Sequence, residues 1–367
     1  MKRIGILTFH NAINYGAVLQ TFALQRKVLE LNSNCEVINY DNDYFKKIYS
    51  TNPFSRGIGL RKRLSIVYHF LRHPLNEIRE NKKAKSIKRF AKKYISFSKV
   101  YNHNDMKALA LDYEGIIVGS DQVWNMRLSN YDTTYFLEDI ENIKKYSYAA
   151  SFGKSNITGF EYEKILKCLP SFERITVREE TAKRILLPLR IESSVVLDPT
   201  FLFDYAEWKN LLNIKEVVRK KYVLVYTIQD DNHLLKEAET FAEKFECEII
   251  SLSFFNHKKY TYKNDSSISD FVALIHAAEC IFTTSFHGLA FSIISHKNFY
   301  FELSKKTNNN NSRMSDLCNE LGLSSREIKN QISEYVDIDY AKVDARLQQL
   351  KEHSLLELKR IVDSLER

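Results

Sequence analysis

Four short turns carry side chains able to hold an anion or move a proton. The first is Thr8-Phe9-His10-Asn11-Ala12-Ile13-Asn14-Tyr15-Gly16, between the apolar run Ile4-Gly5-Ile6-Leu7 and a helical pattern. Free amides at a helix N-terminus suit an anion. The spacing is not Gly-x-Gly-x-x-Gly, so a dinucleotide site is not implied, and a capped structural loop explains these residues equally well. The second turn is Gly119-Ser120-Asp121-Gln122-Val123-Trp124-Asn125. Its donors, acceptors, carboxylate and aromatic face are the groups that hold a sugar. The competing reading puts Trp124 in the core and makes Asp121 a helix cap. The third is Ala149-Ala150-Ser151-Phe152-Gly153, followed by Val177-Arg178-Glu179-Glu180. Arg178, at a strand end, either makes a two-pronged contact with carboxylate or phosphate or forms a surface salt bridge. The fourth is Thr283-Thr284-Ser285-Phe286-His287-Gly288. Its hydroxyls and helix-start amides form an anion cradle, and His287 can transfer a proton near neutral pH. A lone His is usually structural; a strand-end position favours a functional role.

These turns need strands to end where they begin. Apolar runs predict strands at 3–8, 35–40, 115–118, 146–151, 173–177, 194–197, 222–227, 248–252, 280–283 and 298–302. Helical patterns fall at 16–31, 159–168, 178–187, 231–246, 268–277 and 286–295, and a long one at 340–366. Alternation of this kind predicts an α/β protein with mainly parallel sheets. At about 150 residues per domain, 367 residues suggest two units. The expected division is 1–203, 204–335, and a C-terminal helix at 336–367 that packs back on the first unit.

The net charge of +8 is uneven. Residues 44–107 hold 17 Lys+Arg against 3 Asp+Glu, a net of +14, and the remainder of the chain is at −6. Interspersed apolar residues make this an inserted block of amphipathic basic helices. A solvated face is one reading; attraction to an anionic bilayer or a phosphate-bearing substrate is the other. Nucleic acid is not expected, because no nucleic-acid motif accompanies the charge. No apolar run is long enough to span a bilayer, and no signal peptide is expected. The five widely spaced cysteines predict reduced, buried thiols rather than disulfides or a zinc site. The expected location is the cytoplasm. No metal is expected.

Taken in order, the segments Asn14-Tyr15-Gly16-Ala17-Val18-Leu19-Gln20, Gly119-Ser120-Asp121-Gln122-Val123-Trp124-Asn125, Ser147-Tyr148-Ala149-Ala150-Ser151-Phe152-Gly153, Val177-Arg178-Glu179-Glu180, Leu197-Asp198-Pro199-Thr200-Phe201-Leu202 and Thr284-Ser285-Phe286-His287-Gly288 resemble the polysaccharide pyruvyl transferase family. The resemblance covers about residues 1–325. It implies two Rossmann-like domains in a GT-B-like arrangement with the site in the cleft. It implies transfer of the enolpyruvyl part of phosphoenolpyruvate, a co-substrate rather than a cofactor, to two hydroxyls of one sugar. That sugar is expected on a polyprenyl pyrophosphate carrier, which would place the protein at the inner face of the cell membrane. Many members carry Arg at the position of Ser285. The donor's anionic groups are therefore expected on Arg178, Lys305, Lys306 and Arg313, with Thr284, Ser285, His287 and Gly288. His287, Asp121 and Arg178 are the expected catalytic residues. Asn11, Asn14, Tyr15, Gln122, Trp124 and Asn125 are expected to orient the sugar. A glycosyltransferase using a sugar nucleotide and an inactive binding protein of a polysaccharide assembly complex are the alternatives.

Overall fold

The structure, a computed structural model, describes residues 3–31, 34–48, 54, 58–215, 220–228, 232–255, 257, 259–303 and 312–365. Runs such as Gly-Ile-Ile-Val and Tyr-Val-Leu-Val-Tyr have no polar face to offer water, so they are covered on both sides and pair in parallel. One sheet contains β1 (Arg3–Leu7), β2 (Cys35–Tyr40), β3 (Phe97–Tyr101), β4 (Tyr113–Val118), β5 (Lys144–Ala150), β6 (Arg174–Val177) and β7 (Ser194–Val195), in spatial order β3-β2-β1-β4-β5-β6-β7. The other contains β8 (Tyr222–Tyr226), β9 (Glu248–Ser251), β10 (Tyr260–Tyr262), β11 (Cys280–Thr283) and β12 (Asn298–Phe301), in order β10-β9-β8-β11-β12. All these pairings are parallel; Ile4, for example, lies between Cys35 and Gly115. The protein is thus α/β with two parallel sheets, as expected of a GT-B-like fold.

The helices are α1 (Tyr15–Leu31), α2 (Asp43–Ile48), α3 (Leu60–Arg72), α4 (Pro74–Tyr94), α5 (Leu109–Asp112), α6 (Gly159–Cys168), α7 (Glu180–Leu186), α8 (Tyr205–Leu211), α9 (Asn232–Lys244), α10 (Ile268–Ala277), α11 (Phe286–Ile294), α12 (Ser312–Glu320) and α13 (Tyr340–Leu365). In each sheet the chain order reverses at one point, between β1 and β4 and between β8 and β11. Open α/β sheets hold ligands in the crevice beyond the carboxyl ends at such points. The first, second and fourth turns lie there.

An apolar core continues from one sheet unit to the other. The Trp208 ring sits 6.0 Å from Phe22 of α1 and 5.4 Å from Phe291 of α11, and Tyr15 stacks on Phe271 of α10 at 4.6 Å. Helix α13 returns to the first sheet. There Ser354 Oγ accepts from Leu197 N at 2.9 Å, and Lys144 Nζ donates to the Ser364 carbonyl.

Some expectations need correction. Residues 97–101, placed in the helical basic block, form edge strand β3, and a second edge strand, β10, was not anticipated. Both are short, and β3 exposes Lys99 and Val100, so neither shows a buried apolar run. The strand expected over 194–197 is reduced to two residues. Cys247 is only partly buried, whereas Cys35, Cys168, Cys280 and Cys318 are buried; all five are free thiols. Among the described residues no helix is long and apolar enough to cross a membrane.

Gly115 marks where α13 closes on the sheet: a Cβ there would lie 2.2 Å from Leu365 Cδ2 and 2.9 Å from the Lys144 carbonyl. Gly115→Val should therefore cost about 1–3 kcal/mol by overpacking. The check is a lower urea midpoint with the m-value unchanged.

Candidate active site

A buried carboxylate organises the crevice. Asp198 follows the short strand β7 and starts a 3-10 turn; its Oδ1 accepts from Thr200 N at 3.0 Å and Thr200 Oγ1 at 2.8 Å. Its Oδ2 accepts from Ser120 Oγ and Arg178 Nη1, both at 2.8 Å. His287 Nε2 stands 3.7 Å from the same oxygen, an ion-pair distance too long for a hydrogen bond. Burial alone would push the Asp198 carboxyl up. The His287 imidazole, the Arg178 guanidinium and the Thr200 amide outweigh burial and hold it well below the usual carboxylate range.

Arg178, at the end of β6, also lies 3.5 Å from Asp121 Oδ1, and Arg313 of α12 lies 3.9 Å from that oxygen. Both guanidiniums sit by the Phe286 ring, 4.6 Å and 5.6 Å from its centroid. Burial opposes the charge on Arg178, but Asp198, Asp121 and Glu179 overcome it and hold Arg178 above its ordinary value. Burial and the neighbouring Arg178 push Arg313 down to about 10. Two cations this close suit a ligand carrying more than one negative charge. Among the described residues Arg178 Nε and Nη2, His287 Nε2 and Glu179 Oε2 have no hydrogen-bond partner. Clustered in one crevice, such buried polar atoms are groups that a ligand or water can satisfy. Asp121 has φ at 79°, in the left-handed region that a non-glycine residue rarely adopts. A backbone bridge to Ala150 and the Ser151 amide hold it there.

His287 comes from the second sheet unit and meets the first at Gly16. A Cβ on Gly16 would lie 2.0 Å from His287 Nδ1, so only glycine lets the start of α1 touch the imidazole. Ser285 caps α11, its Oγ accepting from Gly288 N at 3.3 Å, while Thr283 Oγ1 accepts from Ser285 N at 3.0 Å. Arg178, Glu179, Asp198 and Phe286 line a cavity of about 140 Å³, and two larger cavities lie beyond the strand ends. One of about 420 Å³ is lined by Asn14, Asn76 and Lys83 together with Thr227, Ser253 and Phe254, beyond β8 and β9. Another of about 370 Å³ lies beyond β1 and β2, lined by His10, Asn11, Asn39, Lys88 and Lys92. A cavity of about 500 Å³ lined by Lys82, Lys85, Arg89 and Lys263 includes neither Arg178 nor His287.

The family profile described as Polysaccharide pyruvyl transferase matches residues 14–301, from the start of α1 to the end of β12. The chain belongs to the polysaccharide pyruvyl transferase family. No curated protein matches the chain. Among solved structures, the UDP-GlcNAc 2-epimerase from Methanocaldococcus jannaschii is 15% identical, with TM-score 0.46, over 95% of this chain and 92% of that one. The putative UDP-N-acetylglucosamine 2-epimerase from Listeria monocytogenes is 11% identical, with TM-score 0.48, over 98% and 91%. The E. coli ADP-heptose lps heptosyltransferase II is 9% identical, with TM-score 0.35, over 96% and 99%.

Of the residues expected to act in this pyruvyl transferase family member, the structure gathers Asp121, Arg178, His287 and Arg313. It adds Asp198, Glu179, Ser120, Phe286 and Gly16, which were not singled out as site residues. Asp198 lay in a quoted segment, Leu197-Asp198-Pro199-Thr200-Phe201-Leu202, with no role assigned to it. Two expected sugar contacts are core residues instead. Trp124 is fully buried and its indole donates to the Tyr135 carbonyl; Tyr15 is fully buried and its hydroxyl donates to the Ser266 carbonyl. Asn14 caps α1, its Oδ1 accepting from the Gly16 and Ala17 amides. Asn11 is exposed on the 370 Å³ cavity, away from Asp198. Asn125 is buried and donates to Gln122 Oε1. Thr284 Oγ1 accepts from Ile228 N. Lys305 and Lys306 lie outside the described residues. Among the described residues no group of three His, Cys, Asp or Glu could hold a metal ion.

Two outcomes follow from this geometry. Gly16→Ala should displace the imidazole and lower kcat by roughly 10²-fold, with the circular dichroism spectrum unchanged. The second concerns Glu179, whose Oε1 accepts from Ser151 Oγ and Gly153 N; burial pushes this carboxyl up. The folded state therefore binds the proton more tightly than the unfolded chain. Stability should fall as pH rises from about 4.3, the unfolded value, through the raised folded value. Glu179→Gln removes that loss. Its Tm should match the wild type near pH 4 and exceed it at neutral pH.

Proposed function

We propose that the protein is a ketal pyruvyltransferase, moving the enolpyruvyl group of phosphoenolpyruvate onto two hydroxyls of one sugar in a bacterial surface polysaccharide precursor. Family membership and the convergence of His287, Asp198, Arg178 and Arg313 support this reading. In the reaction a proton adds to the donor methylene, which becomes a methyl. One sugar hydroxyl bonds to the central carbon and loses its proton. The second hydroxyl then closes the ketal as phosphate leaves with its oxygen, and its proton passes to solvent or phosphate.

His287 is the acid that protonates the methylene and the base that takes a hydroxyl proton. Asp198, ionised beside it, stabilises and orients the imidazolium. Arg178 and Arg313 hold the donor's carboxylate and phosphate and offset charge at the leaving group. Arg313 thereby supplies the cation that family members with Arg at position 285 place there. Asp121, poised between the two guanidiniums, is the second base or the acceptor for a sugar hydroxyl. The sugar enters through the cavities flanking Asn11 and Asn14, carried on a polyprenyl pyrophosphate, and the protein works in the cytoplasm at the membrane's inner face.

The reaction class is tested by mass spectrometry of lipid-linked sugars incubated with phosphoenolpyruvate. The expected product is heavier by pyruvic acid less one water. A protein stabilised by a sugar nucleotide and not by phosphoenolpyruvate would overturn the reading. In the same assay His287→Ala should cut kcat by about 10²–10⁴, and Arg313→Ala should raise the donor KM at least ~10-fold. Near-normal turnover of His287→Ala would remove the imidazole from the chemistry.

A further inference from the structure

Helix α3 turns its apolar side outward. None of its 13 residues is buried, and its main packing partner is α4. Leu60, Leu64, Val67 and Leu71 recur at the spacing of one helical face, yet they are 72%, 61%, 44% and 77% exposed. Leu75 and Ile78, at the start of α4, add two more exposed side chains. A surface helix of a globular protein ordinarily turns such a stripe toward the core.

The charge beside the stripe is one-sided. Between 60 and 79 stand Arg61, Lys62, Arg63, Arg72 and Arg79, with Glu77 as the one acidic residue. At 3.6 residues per turn Arg63 borders one edge of the stripe, and Arg61 and Arg72 border the other, with Tyr68 between. Aliphatic side chains bordered by cations and an aromatic ring are the pattern of a helix lying in a membrane interface. Some other residues of the basic block are engaged within the protein. Lys82 pairs with Asp265, Lys83 lies over the Tyr15 ring, and β3 belongs to the sheet.

We propose that α3 is a membrane-docking arm. It lies in the plane of an anionic bilayer surface, with Leu60, Leu64, Val67 and Leu71 among the acyl chains and Arg61, Arg63 and Arg72 against lipid phosphates. Charge complementarity selects a bilayer over a second copy of this chain, because two such faces would set arginine against arginine. Helix α4 carries the arm to the cleft. The His73 ring packs 5.4 Å from Phe254, and Asn76 and Lys83 line the 420 Å³ cavity. The arm thus places that cavity near the lipid surface. Delivery of a lipid-borne sugar there rests on the function proposed above, but docking does not.

The test is co-sedimentation of the full chain with phosphatidylglycerol/phosphatidylcholine vesicles and with pure phosphatidylcholine vesicles, alongside gel filtration. Binding to the anionic vesicles should be at least ~10-fold stronger and should weaken at about 0.5 M salt. The double variant Leu64→Asp/Leu71→Asp should lose at least ~10-fold in vesicle binding while keeping its Tm, since both side chains are exposed. Equal binding by that variant overturns the proposal. So does a wild-type dimer that the variant turns into a monomer, which would assign the stripe to a second copy. Vesicle binding without pyruvyl transfer would leave the arm standing and remove the proposed reaction.

Discussion

The arrangement depends on one buried negative charge. Asp198 has no contact with water, so its charge must be met inside the protein. It is met by a hydroxyl after β4, a guanidinium after β6, the amide of Thr200 and an imidazole from the other sheet unit. Each of those groups is in turn fixed by Asp198. Removing Arg178 would leave the buried carboxylate without its guanidinium, the costly case for buried ion pairs. This mutual dependence gives the crevice its geometry. It also leaves Arg178 with two nitrogens turned away from Asp198 and without a hydrogen-bond partner among the described residues.

Much of this was readable from the chain. Parallel strands buried on both faces read as continuous apolar runs, and a polar residue straight after such a run falls at a sheet's carboxyl end. Asp121, Arg178 and His287 could be placed on that logic, and the order of the segments pointed to the family. Asp198 was harder. A carboxylate before Pro and Thr reads as a local cap, and it is one; its second oxygen meets partners 20 and 78 positions away, which spacing does not reveal. Tyr15 and Trp124 misled for the opposite reason. An aromatic ring beside polar residues suits a sugar, but the side of the backbone it occupies is set by tertiary packing. The edge strands β3 and β10 were missed because one face of each meets solvent and their sequences lack an apolar run.

The basic block divides into parts with different surroundings. Its second long helix, α4, is a strut: Asn264 of the second unit donates to Asn76 and Glu80, and Phe90 packs against Phe22 of α1. Its first long helix, α3, leans on α4 and presents the rest of its surface outward. Lys82 and Lys83 of α4 find partners inside the molecule, in Asp265 and the Tyr15 ring, whereas the arginines of α3 are the ones assigned to lipid phosphates in the docking proposed above. Net basic charge alone does not separate these roles, since both helices carry more lysine and arginine than acidic residues.

The contact between Gly16 and His287 has a consequence for timing. The imidazole belongs to one half of the molecule, while the carboxylate that steadies it and the glycine that admits it belong to the other. A movement that widened the cleft would part the imidazole from both of the others at once. In the proposed reaction an enol phosphate would be wasted if water reached an activated form before the sugar did. In that reaction, splitting the acid from its support between the two halves would tie proton transfer to a closed cleft.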